Sequence, residues 1–130
     1  MINEPDGHRT QATVLVVDDD AAVRDSLKFL LELEGFLVRV FQDGRALLKE
    51  PDIHGDEYLV IDQIMPGLTG LETIDAVRRR GGHHPVVLVI SEPSVAVLNG
   101  AKARGVTVLE KPFLERVLVD AIRKTMDGPS

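Results

Sequence analysis

Asp18, Asp19 and Asp20 follow the apolar run Val14-Leu15-Val16-Val17, and Asp62 follows Tyr58-Leu59-Val60-Ile61. Ser91 comes directly after Val86 to Ile90, and Lys111 after Val106 to Glu110. Four apolar runs thus end in groups able to bind a cation, attack phosphorus or neutralise an anion. Several carboxylates a few ångströms apart repel one another, so the cluster either recruits a divalent cation or raises at least one carboxyl pKa. An all-oxygen donor set without His or Cys favours Mg2+, which keeps several waters and takes one or two carboxylates. A carboxylate is also a nucleophile toward phosphorus, giving an acyl phosphate. A metal and a lysine would then neutralise the transferred phosphoryl group, and a hydroxyl would bond one of its oxygens. These residue types point to metal-assisted phosphoryl transfer.

Such groups act together only if the fold brings them to one place. Val14 to Val17, Tyr58 to Ile61 and Val86 to Ile90 are nearly continuous apolar stretches rich in β-branched residues, the pattern of strands buried on both faces of a parallel sheet. Phe36 to Val40 admits Arg39, and Val106 to Leu109 admits Thr107, which suits sheet edges. Between the runs lie helical patterns. The first starts at the cap-like Asp20, carries Val23, Leu27, Leu30 and Leu31 on one face and ends near Gly35. A short helix is expected over Gly44 to Lys49. Another carries Leu71, Ile74 and Val77 and closes on Arg78 to Arg80, where cations suit the helix dipole. A further one over Ser94 to Arg104 contains Gly100, and a last one begins at Pro112 with Leu114, Val117, Leu118, Ala121 and Ile122 facing inward. Right-handed crossovers make this an α/β doubly wound five-stranded parallel sheet of order 2-1-3-4-5. That order is expected to set the Val14, Tyr58 and Val106 strands side by side, converging Asp18, Asp19, Asp62 and Lys111 at their carboxyl ends, with Ser91 on the neighbouring strand.

At 130 residues the chain suits one domain, with a flexible leader over 1–11, the folded part over 12–126 and a flexible tail over 127–130. The formal net charge of -6 argues against direct binding of nucleic acid, which needs clustered cations. There is no cysteine for a disulfide or a thiolate site, and no apolar run of membrane-spanning length. The N-terminus lacks a signal-peptide pattern, so the expected location is the cytoplasm. His8, His54, His83 and His84 show no metal spacing and are not read as a zinc site.

Taken together, the motifs resemble those of response-regulator receiver domains, the phospho-accepting half of two-component signalling. Val16-Val17-Asp18-Asp19 is similar to the family's acidic pair, Ile61-Asp62-Gln63-Ile64-Met65-Pro66-Gly67-Leu68-Thr69-Gly70 to its acceptor loop, and Glu110-Lys111-Pro112-Phe113 to its lysine loop. With Ser91 they span about Thr13 to Met126. The resemblance implies a CheY-like, flavodoxin-like three-layer sandwich. It implies that Asp62 accepts a phosphoryl group from a sensor histidine kinase or phosphotransfer protein, that Asp18, Asp19, Asp62 and the backbone carbonyl of Ile64 hold Mg2+, and that Lys111 and Ser91 contact the phosphoryl group. It also implies a cis Lys111-Pro112 bond. On this reading the chain is a phosphorylation-controlled protein-interaction switch rather than a turnover enzyme, and a homodimer is a possible assembly.

Three positions depart from the family pattern. Glu92 follows the switch hydroxyl where a small residue is usual, Val108 stands at the position of the switch aromatic, and the stretch from Ser91 to Lys111 is short. These suggest a truncated or mobile fourth helix and an altered output face, and they keep open a phosphorylation-independent adaptor of the same fold. An aspartyl-phosphate phosphohydrolase ranks last, because Ile64 stands where such enzymes carry a second Asp.

Overall fold

The computed structural model describes residues 12–53 and 55–126. The expected leader and tail, with His8, and also His54, lie outside the described residues. Five strands, β1 Thr13–Val17, β2 Leu37–Phe41, β3 Tyr58–Asp62, β4 Val86–Ile90 and β5 Thr107–Glu110, alternate with five helices. The helices are α1 Ala21–Leu33, α2 Gly44–Leu48, α3 Gly70–Arg79, α4 Val95–Ala103 and α5 Glu115–Met126. All strand pairs are parallel, in the order β2-β1-β3-β4-β5. This is the expected doubly wound sheet, with one correction: β4 lies between β3 and β5, so the Val106 strand does not adjoin the Tyr58 strand. A five-strand sheet in this order leaves β3 only β1 and β4 as neighbours.

Successive side chains of a strand point to opposite faces, and the sheet divides its core accordingly. Leu15, Val17, Leu59, Ile61, Leu88 and Ile90 pack with Leu47 of α2, Ile74 and Val77 of α3 and Ala101 of α4. Val14, Val16, Val60, Val87 and Val89 pack on the other face with Leu31 of α1 and Leu118, Val119 and Ile122 of α5. Every residue of β4 is buried, whereas β2 and β5 are mostly half-buried or exposed, as expected for edges. Each fully buried aliphatic side chain contributes about 1.5–3 kcal/mol, so these two layers hold the strand ends in fixed relation.

Caps set where the helices start. Asp20 accepts from Ala22 N at 2.9 Å and Val23 N at 3.4 Å, Asp43 from Ala46 N at 2.8 Å, and Ser94 from Val97 N at 3.1 Å. The α4 helix is nine residues long with caps at Ser94 and Arg104, not the truncated element expected. Arg104 explains its anchorage: Nε and Nη2 donate to the two carboxylate oxygens of Asp75 on α3, each at 2.8 Å, while Nη1 donates to Gly100 O.

The final helix differs from expectation at both start and face. Lys111-Pro112 is cis as expected, but helix begins at Glu115, after the loop Pro112-Phe113-Leu114. Leu118, Val119 and Ile122 form its buried face, and Leu114 and Val117 turn outward at 74% and 41% exposure. The apolar stripe read along the chain is wider than the arc that touches the sheet.

Candidate functional site

Val17 pairs with Ile61 at the carboxyl ends of β1 and β3, so the next residues, Asp18 and Asp62, are neighbours by register. Asp19 completes the group: one carboxylate oxygen from each of Asp18, Asp19 and Asp62 lies within 4.8 Å of the others. Asp18 and Asp62 are buried and Asp19 is exposed, which leaves the cluster open on one side. Lys111 reaches it past the end of β4. Its backbone N–H donates to Ile90 O at 2.8 Å, and its Nζ lies 3.2 Å from Asp62 Oδ2 and 3.7 Å from Asp18 Oδ2. The structure thus brings together Asp18, Asp19, Asp62 and Lys111, from three different strands.

Asp62 is 7% exposed. Its Oδ2 is engaged by Lys111, but its Oδ1 is sealed from solvent with no hydrogen-bond partner among the described residues. Burial pushes the Asp62 carboxyl above the ordinary carboxylate range; Lys111 opposes that rise, the nearby Asp18 charge adds to it, and the backbone N–H of Ile64 lowers it. An orphaned oxygen on a carboxylate that resists ionisation fits a site that receives positive charge. The donors are all oxygen, which suits a hard cation such as Mg2+.

Two residues not singled out from sequence shape this site. Gln63, buried beside Asp62, accepts Leu71 N on its side-chain Oε1 at 2.9 Å and Gly70 N on its backbone O at 3.0 Å. Thr69 and Glu72 close a reciprocal capping box over the next amide, at 3.1 and 2.9 Å. The first three N–H groups of α3, orphans in any helix, are therefore satisfied by the acceptor loop itself. Gly70 permits this approach, because a Cβ there would lie 2.7 Å from Asp62 O and 2.8 Å from Leu88 Cδ1. The signal for Gln63 is a polar side chain placed between a strand and a capped helix start. Arg24 of α1 is the second: its Nη1 donates to Asp18 O at 2.7 Å, while Asp18 Oδ1 accepts Asp20 N at 2.9 Å. The acidic turn is held from both sides.

The remaining sequence-level candidates sit around this edge. Ser91 and Glu92 are exposed just past β4, whose Val89 is the sheet partner of Asp62. Ile64 is exposed to 61%, two residues beyond the acceptor. Val108 is half-buried against the α2, α3 and α4 side of the core, an aliphatic filler.

Residues 14–123 match the response regulator receiver domain. The chain belongs to that family. Among curated relatives, this receiver is 35% identical over 120 residues to the transcriptional regulatory protein FixJ of Bradyrhizobium diazoefficiens, covering 88% of this chain and 58% of that protein. It is 38% identical over 107 residues to the response regulator MprA of Mycolicibacterium vanbaalenii, covering 81% of this chain and 46% of that protein. The receiver thus spans about half the length of the curated relatives it matches. Among solved structures, the crystal structure of FixJ-N superposes with a TM-score of 0.82 at 30% identity, over 93% of this chain and 98% of that one. The chemotaxis protein CheY4 of Vibrio cholerae gives 0.79 at 32% identity, over 88% and 98%. A CheY-like receiver of a two-component system accounts for the fold and the sheet order. Among the described residues, no helix is long and apolar enough to cross a membrane.

Proposed function

We propose that this receiver accepts a phosphoryl group on Asp62, in a Mg2+-dependent transfer from a sensor histidine kinase or a phosphotransfer protein, and acts in the cytoplasm as a phosphorylation-controlled protein-interaction switch. The observation that carries the reading is the unpartnered, buried Oδ1 of Asp62 beside Lys111 and two further carboxylates. One oxygen of Asp62 forms the new O–P bond as the N–P bond of the phosphohistidine breaks, and the electron pair returns to the imidazole nitrogen. Lys111 Nζ, already on Oδ2, shifts its pairing to a phosphoryl oxygen. The Ser91 hydroxyl donates to another. Asp18, Asp19, Asp62 and the Ile64 carbonyl are the groups that would hold Mg2+, and the metal supplies charge neutralisation when bound.

Phosphorylation adds negative charge at the carboxyl edge of the sheet, close to α4. Exposed Val95 and Leu98 of α4 and Val117 of α5, with Leu114 just before it, support a protein-binding face, with a second copy of this chain as one occupant. The net charge of -6 supports a protein rather than nucleic acid as the direct partner. Incubation with acetyl phosphate and Mg2+ followed by intact-mass measurement tests the reading. One phosphoryl adduct is expected on the wild type and none on Asp62→Asn or in EDTA. Val108, which provides no ring to rotate, favours a second reading, the phosphorylation-independent adaptor; an unmodified chain whose Asp62→Asn variant still signals would establish it.

A further inference from the structure

At the end of the sheet opposite Asp62, a cavity of about 310 Å3 opens between the α2–β3 connection and the α3–β4 turn. Leu47, Leu48, Ile53 and Val77 give it an apolar wall, and among the described residues Arg80 and His84 are its cationic and imidazole groups. Glu50 also lines it but is engaged by Arg39 at 2.9 Å.

His84 is only 3% exposed. Its Nδ1 lies 3.0 Å from the backbone O of Glu57, an atom that can only accept, so Nδ1 carries a proton. The Glu57 carboxylate, 3.4 Å from the same nitrogen, reinforces that orientation. Nε2 has no hydrogen-bond partner among the described residues, yet it is not one of the side-chain atoms sealed from solvent. Gly82 is the reason it is uncovered: a Cβ there would lie 2.9 Å from Nε2 and 2.9 Å from Val77 Cγ1. A buried imidazole is thus clamped on one nitrogen and presents the other to the cavity. The Arg80 guanidinium spends an N–H on Leu48 O, which fixes it at the mouth and leaves further donors.

We propose that this cavity binds a small carboxylic acid with a short aliphatic body. One carboxyl oxygen faces the Arg80 guanidinium, and the other shares a single proton with His84 Nε2, carried by the imidazole or by the acid. The aliphatic body lies against Leu47, Leu48, Ile53 and Val77. An amine of the same shape meets Arg80 as a like charge, and a purely apolar molecule leaves Nε2 unpaired. The site is separate from the acceptor carboxylates, so its occupancy is measured independently of phosphorylation.

The test uses the full chain, 15N-labelled, titrated with hexanoate while the ring nitrogens of His84 are followed by NMR. A saturable shift of Nε2 is expected with a dissociation constant below about 5 mM, a modest affinity for a ligand this small. Gly82→Ala, which fills the opening, should weaken binding about tenfold or more while keeping a dispersed amide spectrum. If that variant does not fold, Arg80→Gln serves instead with the same expected loss. Hexylamine should give no saturable shift. The proposal is overturned by an unresponsive Nε2 up to about 50 mM hexanoate, by unchanged affinity in the folded variant, or by equal binding of hexylamine.

Discussion

The surroundings of Asp62 disfavour its charge, and that has a thermodynamic sign. Burial raises its carboxyl pKa in the folded chain, so the folded state keeps the proton to higher pH than the unfolded state does. Stability from this group is therefore full at pH below the ordinary carboxylate value and is lost as pH rises through the raised folded value. Asp62→Asn removes that loss. In metal-free buffer near pH 7 the variant should melt above wild type, with the gap closing as pH falls through the carboxylate range. Thermal scans of both proteins across pH check this; a gap that widens toward acid would refute the cause. Gln63 acts in the opposite direction. Gln63→Leu leaves Leu71 N without its 2.9 Å acceptor and should lower stability by about 1–2 kcal/mol in urea titrations. Gln63→Glu keeps an acceptor oxygen and should lose less. The helix cap at Asp20 and the place of Lys111 beside Asp62 were legible from residue type and spacing. Gln63 and Arg24 were not, because their contacts depend on a side chain meeting a backbone atom that only the folded turn presents.

At the level of elements, α4 is fastened at one end. Arg104 grips Asp75 and Gly100, and Arg78 of α3 donates to Arg104 O at 2.6 Å. The Arg104 guanidinium holds the Asp75 carboxyl below the ordinary range, with its hydrogen bond as the main cause. The other end, Ser91 to Ala96, is exposed throughout. Asp75→Ala should release the fastened end, costing up to about 1 kcal/mol because the pair is partly solvated, and accelerating amide exchange over 95–103 more than in β4. Hydrogen exchange with mass detection reads both segments in one experiment. The short distance from Ser91 to Lys111 led to an expectation of a truncated helix, yet Ser94 and Arg104 cap a complete one. In α5 the periodicity located the helix but set its inward arc too wide, since Leu114 and Val117 satisfy the apolar pattern while facing away from the sheet.

For the molecule as a whole, a cation held by the acidic cluster would link metal binding to folding. A cation that binds only the folded chain stabilises it by mass action, about 2.7 kcal/mol at one hundred times its dissociation constant. Added Mg2+ should therefore raise the melting temperature of the wild type and do so far less in Asp19→Asn, which removes one of the three clustered carboxylates. Calorimetry with Mg2+ and with EDTA decides it. Fold class and sheet order were legible because buried strands write themselves as β-branched runs and turns as glycine and proline. The neighbour of β3 was misplaced because convergence on one pocket does not require adjacency in the sheet: Lys111 reaches Asp62 over the end of β4 by the length of its own side chain.

The one-sided anchorage of α4 also makes the chain convenient to watch. It contains no cysteine, so a single engineered thiol is a unique attachment point for a fluorophore or spin label. A probe at Ala96, on the exposed start of α4, is expected to move more than one at Lys102, which sits beside the Arg104 clamp. The pair of labels distinguishes tilting of the helix from its melting: tilting moves the first probe alone, and melting loosens both.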